Sequence, residues 1–397
     1  MAIRITGIGI VSAIGLSVAE NLDSLVNGKS GIGPVKYLEV DRDYLVGEVK
    51  CSNEEFADRL EVKTKSASRT SLLGLAAARE AWGKNRENSQ LRTGIISATS
   101  VGGMDKTEGF YRNYLDKNNP DYHVLKYHDS GNTTEIIAAE LGISGYINTL
   151  STACSSGANA IMLGARLIEQ GKLDRVLVGG TDALTNFTLN GFRSLMIYDD
   201  QWCRPFDDSR SGLNLGEGAA FLLLENDKSS RISGSTTICC LSGWANAADA
   251  YHQTASSPDG KGATLSIQNA IALSGLSALD ISYINAHGTG TKNNDLSESM
   301  AMLNVFGDNL PDFSSTKPFT GHTLAAAGAI EGVFSSLAIQ HGYIFPNLNY
   351  KTPIAETGLV PCTELQTWEP VLAVLSNSFG FGGNNSSLVF SVNKWND

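Results

Sequence analysis

The hydrophobic pattern of this chain switches between short apolar runs that end at glycine and longer stretches with helical spacing. In the first fifteen residues, Ile3 and Ile5, then Ile8 and Ile10, alternate with small residues, which predicts a buried strand and turn. "LLGLAAAREAWGKN" reads as helix, "TGIISATS" as strand, "TTEIIAAELGI" as helix, "YINTLS" as strand, "GANAIMLGARLIEQG" as helix and "RVLVGGT" as strand. In the fifth block Ile161, Leu163, Leu167 and Ile168 are apolar, whereas Arg166, Glu169, Gln170 and Lys172 are polar. Strand and helix patterns in alternation predict an α/β fold with buried sheets.

The two halves carry similar blocks in the same order. "RTGIISATSVGG" resembles "ISYINAHGTGTKNND", and "STACSSGANAIMLGARLIEQGKLD" resembles "STKPFTGHTLAAAGAIEGVFSSLAIQHG". "VLVGGTDALTN" followed by "GAAFLLLE" resembles "VLSNSFGFGG" followed by "SSLVFSV". Three blocks in one order predict a duplicated α/β unit with its seam at 225–237, dividing the chain into 1–230 and 231–397.

A hydrophobic share of 42% and a charged share of 18% fit a soluble globular protein, and no apolar run is long enough to span a bilayer. The start of the chain lacks a basic segment before an apolar block, so the expected location is cytoplasmic. A net charge of −11 argues against general nucleic-acid binding. The six cysteines form no CxxC pair and no zinc-like cluster with histidine, so free thiols are expected.

Cys154 stands between a strand and the helix that begins near Gly157, with Ala153, Ser155, Ser156, Gly157 and Ala158 around it. Unpaired N–H groups at a helix N-terminus favour a thiolate, and a backbone N–H in such a turn can stabilise an oxyanion. The local pattern leaves a core thiol and a nucleophile equally open. The second half supplies partners: His287 at a strand end before Gly288, Thr289, Gly290 and Thr291, and His322 at the start of a small-residue helix, where a neutral imidazole is favoured. Lys317 and Glu331 flank His322 and could pair. Phe379, Gly380, Phe381, Gly382 and Gly383 form a glycine-rich turn that lets a backbone N–H approach a ligand, or simply a hairpin with two core aromatics. There is no Walker-type or dinucleotide-binding glycine motif.

From "RITGIGIVSAIG" through "STACSSGANA", "RPFDDSRSGLNLGEGAAFLLLE", "NAHGTGT" and "STKPFTGHTLAAAGAIE" to "NSFGFGGNNSSLVF", the chain resembles the elongating β-ketoacyl-[acyl carrier protein] synthases of the thiolase superfamily. The resemblance implies the thiolase fold: two βαβαβαββ halves in a five-layered α-β-α-β-α core. It implies that Cys154 carries the acyl chain and that His287 and His322 are the histidine pair, supported by Lys317 and Glu331. It likens the N–H groups of Cys154 and Phe381 to an oxyanion hole, and Phe379, Gly380, Phe381, Gly382 and Gly383 to a gating loop. Thr289 and Thr291 match the threonines at the pantetheine arm, and Val101 matches a position lining the acyl pocket.

The implied reaction is a decarboxylative Claisen condensation of acyl-Cys154 with malonyl-acyl carrier protein, extending a fatty acid, polyketide or aryl polyene chain. A depressed cysteine pKa would help the acyl step. No cofactor is implied beyond the phosphopantetheine arm of the substrates. The implied assembly is a homodimer, or a heterodimer with a non-catalytic homologue resembling a chain-length factor. A catalytically silent partner would usually lack the nucleophile, and a degradative thiolase needs a second catalytic cysteine, which Cys362 does not match. Lys63, Lys65 and Arg69 resemble the family's carrier-docking surface, though they fit a solvated helix face nearly as well. The chain departs from the family at Lys292, Asn293 and Asn294, where a proline and a small residue are usual, at Asn384, where threonine is common, and at Pro318, Phe319 and Ala325.

Overall fold

Two five-stranded sheets of identical topology make the frame of the computed structural model, which describes residues 3–62, 67–83, 90–117, 119, 121–367 and 370–392. The first half runs β1 (Ile3–Val11), α1 (Val18–Val26), β2 (Gly33–Pro34), β3 (Leu45–Val46), α2 (Asn53–Leu60), α3 (Arg69–Trp82), β4 (Thr93–Ala98), α4 (Met104–Leu115), α5 (Ser130–Glu140), β5 (Tyr146–Leu150), α6 (Ser156–Glu169), β6 (Arg175–Asp182), α7 (Asn186–Ser194), β7 (Gly218–Glu225) and α8 (Asp227–Ser233). The second runs β8 (Cys239–Ala248), α9 (Lys261–Ser274), β9 (Tyr283–Asn285), α10 (Lys292–Phe306), β10 (Asp312–Ser314), α11 (Lys317–Thr320), α12 (Ala327–His341), β11 (Ala373–Gly380) and β12 (Asn384–Ser391).

The first sheet is ordered β5-β4-β6-β7-β1 and the second β10-β9-β11-β12-β8. In each, the outer three strands are parallel and the inner connections antiparallel. Each block of the sequence repeat lands on its counterpart: β4 on β9, α6 on α12, β6 on β11, β7 on β12. The sheets join where β1 pairs with β8 (Ile3 opposite Leu241, Ile5 opposite Cys239), so they form one continuous ladder.

Local chemistry explains the elements. In β1 the isoleucines change phase between Ile5 and Ile8, yet all four face one core cluster. The register shifts between Ile5 and Gly7, so a bulge at Thr6 turns both pairs to the same side. Ser52 and Glu55 form a reciprocal capping box on α2, while Ser68 caps α3 and Thr291 caps α10. The expected helix after His322 begins later: α11 ends at Thr320, and α12 starts at Ala327 after a short 3-10 turn. His322 therefore sits in a connection between helices.

Three core clusters define five layers. One packs α2, α3 and α5 on the first sheet; another packs α9 and α10 on the second. Between the sheets lie α6 and α12, and every residue of α12 from 327 to 339 is buried. These helices meet at small residues: a Cβ on Gly157 would lie 2.8 Å from both Ala325 O and Ala329 N, and one on Gly328 2.8 Å from Ala158 N. Close approach brings Cys154, just before α6, beside the residues that precede α12.

Gly157→Ala should therefore destabilise the protein by about 1–3 kcal/mol through overpacking against backbone. Gly109→Ala on α4, where a Cβ meets nothing within 4 Å, should be neutral or gain up to about 1 kcal/mol. Thermal denaturation of the two variants side by side tests this; equal midpoints would refute the close-approach account.

Candidate active site

Cys154 is placed by a strained turn. β5 ends at Leu150, Ala153 takes the left-handed conformation (φ +54°), and α6 starts at Ser156. Such a conformation costs a non-glycine residue about 1–2 kcal/mol. Hydrogen bonds inside the turn hold it: Thr152 N–H donates to Ser156 Oγ (2.7 Å), which donates to Ala153 O (2.5 Å). Ser155 Oγ lies 2.7 Å from Asn384 Oδ1, tying the turn to the start of β12. Cys154 ends 6% exposed, at the base of a cavity of about 490 Å³.

His287, His322, Thr289, Thr291, Phe379, Gly380, Phe381 and Gly383 line the same cavity. The two imidazoles stand edge to face, 5.4 Å apart. The N–H groups of Phe381 and of Cys154 itself face the sulfur and favour its anion. Phe381 stacks on Phe192 of α7 at 5.7 Å, and Gly382 (φ +82°) turns the loop back so that its N–H donates to Gln253 O (2.7 Å).

Lys317, 2% exposed, organises the histidines. Its Nζ donates to His287 Nδ1 (3.2 Å) and His287 O (2.5 Å) and forms an ion pair with Glu331. Since an ammonium only donates, His287 Nδ1 accepts and its proton resides on Nε2. His322 Nδ1 accepts from Leu324 N–H (3.0 Å), which again leaves the proton on Nε2. Both rings thus present an N–H to the cavity. Burial, then the charge of Lys317, hold His287 well below the ordinary histidine range and His322 down to about 3. Both are neutral, which the sequence predicts only for His322, and burial is the chief cause.

The thiol differs from expectation. Burial pushes Cys154 up to about 11, although Lys317 and the two N–H groups act the other way. Desolvation at the closed base outweighs the helix terminus, so the resting group is the thiol.

Three further carboxylates build the site and had gone unnoticed or unused in the sequence. Glu298 of α10 accepts from the N–H groups of His287 (2.9 Å) and Gly288 (2.8 Å), and Asp295 accepts from Thr289 (3.0 Å) and Gly290 (3.2 Å). Together they clamp the histidine turn. Their spacing of three residues, on a helix directly after a glycine-rich turn, was the available signal. Asp182, closing β6, accepts from Thr99 Oγ1 (2.6 Å), Val101 N (3.1 Å) and Ala325 N (2.8 Å), joining loops from both halves. Burial raises Glu298 to about 7, Asp182 to about 6 and Glu331 to about 7.

Val101 packs with Leu189, Leu213 and Leu324, of which Leu213 lines the cavity, and its N–H donates to Asp182 (3.1 Å). One expected assignment fails. Arg69 cannot belong to a docking surface: it is 8% exposed, its guanidinium spent on Glu217 (2.6 and 2.8 Å), Val49 O, Cys51 O and Asn53. Lys63 and Lys65 lie outside the described residues. Among the described residues no group of three His, Cys, Asp or Glu could hold a metal.

Comparison with known proteins points to one family. The family described as "Beta-ketoacyl synthase, N-terminal domain" matches residues 1–230, and its C-terminal counterpart matches 238–351. The chain is 34% identical over 407 residues to 3-oxoacyl-[acyl-carrier-protein] synthase 2 of Staphylococcus aureus, covering 97% of this chain and 100% of that one. It superposes on the ishigamide ketosynthase/chain length factor with a TM-score of 0.91 at 28% identity, covering 98% of this chain and 99% of that one. For the ketosynthase ApeO, in complex with its chain length factor ApeC from Xenorhabdus doucetiae, the TM-score is 0.85 at 32% identity, covering 98% of each.

A thiol at about 11 with no imidazole titrating nearby in the neutral range sets its own reactivity. Alkylation of Cys154 by iodoacetamide, followed by intact mass, should rise about tenfold per pH unit between pH 7 and 9 without a plateau. A plateau beginning near pH 7 would mean a thiolate–imidazolium pair instead.

Proposed function

This chain belongs to the β-ketoacyl synthase family, and we propose that it is a catalytic, chain-extending member: a 3-oxoacyl-[acyl carrier protein] synthase that condenses an acyl group on Cys154 with malonyl-acyl carrier protein. The observation that carries this is the pair of neutral imidazoles with Nε2–H turned to the cavity above Cys154. The acyl thioester enters first. Cys154 Sγ bonds to its carbonyl carbon, the carrier thiol leaves with the proton, and the tetrahedral oxygen accepts from the N–H groups of Cys154 and Phe381. Malonyl thioester then takes the emptied cavity. Carbon dioxide departs, the enolate oxygen accepts from both Nε2–H groups, and the carbon attacks the acyl-Cys154 carbonyl. The Cys154–carbon bond breaks, releasing a β-ketoacyl thioester two carbons longer, and the departing Cys154 sulfur takes a proton from solvent to return to the thiol. Lys317 and Glu331 act behind this step, holding His287 in the donating tautomer.

No cofactor is needed beyond the arm on the substrate. We place the protein in the cytoplasm and divide it into halves at 230/231. The halves have distinct tasks: the first bears the nucleophile, the second both histidines and the gating loop. Among the described residues no helix is long and apolar enough to cross a membrane. Lys63 and Lys65 remain the proposed carrier-docking residues, without Arg69.

We propose that a partner subunit covers one edge of the fold. Strand β5 is a sheet edge with Tyr146 and Ile147 exposed, and no residue of the neighbouring helix α4 is buried, leaving Tyr111, Tyr114 and Leu115 in the open. Apolar edges of this kind are covered in native assemblies. A second copy or a chain-length-factor-like homologue would do so; the two structural relatives named with a chain length factor favour the second for a secondary-metabolite pathway.

With acyl- and malonyl-carrier as substrates, wild-type protein should show an acyl adduct on Cys154 by intact mass and a two-carbon extension; no adduct would refute the proposal. Cys154→Ala should abolish condensation. His322→Ala should slow malonyl decarboxylation by about 10²–10³ while acyl transfer to Cys154 falls much less. Equal losses would remove His322 from the enolate step.

A further inference from the structure

Among the described residues, Lys292 is the only one lining the cavity that carries a full charge, because the cysteine is a thiol and both histidines are neutral. It is exposed, whereas Cys154, His287 and His322 at the base are buried, so it marks the rim. Among the described residues no carboxylate pairs with it. A lone cation at the mouth of an uncharged cavity, in a protein of net charge −11, needs a reason.

The backbone beneath Lys292 is fixed. Arg210, 5% exposed, donates to Lys292 O (2.9 Å) and Thr291 O (3.4 Å). Asn293 binds the opposite rim at both ends: its Oδ1 accepts from Ser256 N–H (2.7 Å) and its Nδ2 donates to Ser256 O (3.1 Å). Lys292 is also the first residue of α10, where the helix dipole adds to its positive potential. Thr289 and Thr291, hydrogen-bonded to each other at 2.9 Å, lie on the wall between the base and this rim.

Resting on the function proposed above, we infer that Lys292 binds the phosphate of the 4′-phosphopantetheine arm at the cavity mouth. A thioester at Cys154 sends its arm outward along Thr289 and Thr291, past two uncharged amides, to the one anionic group it carries. That group reaches the rim where Lys292 stands. Lysine at the first helical position gives up the preorganisation a proline supplies there and gains a charge.

The test compares thioesters of one acyl group on pantetheine, 4′-phosphopantetheine, coenzyme A and acyl carrier protein, in wild type and in K292M, K292R and K292E. The readout is the ratio of kcat/KM for the phosphorylated arm to that for plain pantetheine. Wild type should prefer the phosphorylated arm about threefold to fivefold, through KM, and the preference should shrink as salt is raised. K292M should bring the ratio near one, K292R should retain it, and K292E should invert it. A loss confined to phosphopantetheine and carrier thioesters supports recognition of the carrier-borne arm; a parallel loss with coenzyme A supports recognition of the same phosphate whatever it bears. A ratio unchanged in K292M and K292E overturns the inference. A wild type that turns over none of these thioesters overturns the proposed function, and this inference with it.

Discussion

The buried contact between Lys317 and Glu331 is the constraint on which the rest of the site depends. Two charges lie almost fully out of water, and desolvation alone would make that unfavourable. The geometry compensates because the ammonium has no free donor: Glu331, the carbonyl of His287 and its ring nitrogen take all three. One cation thereby joins the turn before α12, the middle of α12 and the end of β9. It also dictates proton positions, since a ring nitrogen facing an ammonium can only accept. Removing either charge would strand the other inside the core and release the orientation of His287 together.

Around that contact the duplicated fold acts as a positioning device. Each half sends a small-residue helix into the middle layer. Gly157 and Gly328 let the helices approach closely, so a cysteine from the first half meets two histidines from the second. Asp182 closes the join by bonding Thr99 and Val101 on one side and Ala325 on the other. The nucleophile turn is strained at Ala153, and that strain persists because the neighbouring hydrogen bonds over-determine it.

Burial creates the chemistry and also limits it. The same dry environment that keeps both imidazoles neutral, and so able to donate to a developing enolate, disfavours a free thiolate on Cys154. The two N–H groups at the sulfur lower this cost without cancelling it. Charge therefore develops at Cys154 during acyl transfer, where a leaving thiol can take the proton, rather than beforehand.

Much of this was legible in the linear chain. The isoleucines of β1, the matched blocks of the two halves, Cys154 among small residues and the glycine-flanked His287 and His322 are local patterns, and periodicity and turn chemistry are short-range physics that a sequence carries openly. Other features were hidden because they arise only when distant segments meet. Arg69 reads as a surface cation in "KTKSASRT", yet Glu217, 148 positions away, draws it inside. Cys154 sits at a helix tip, which favours ionisation, but only packing decides how much water remains, and that reversed the sign of its shift. The sequence by itself determined which residue types stand at the ends of which elements. Tertiary structure decided their protonation, their burial and their partners, because solvation and long-range ion pairing depend on what lies nearby in space, not along the chain.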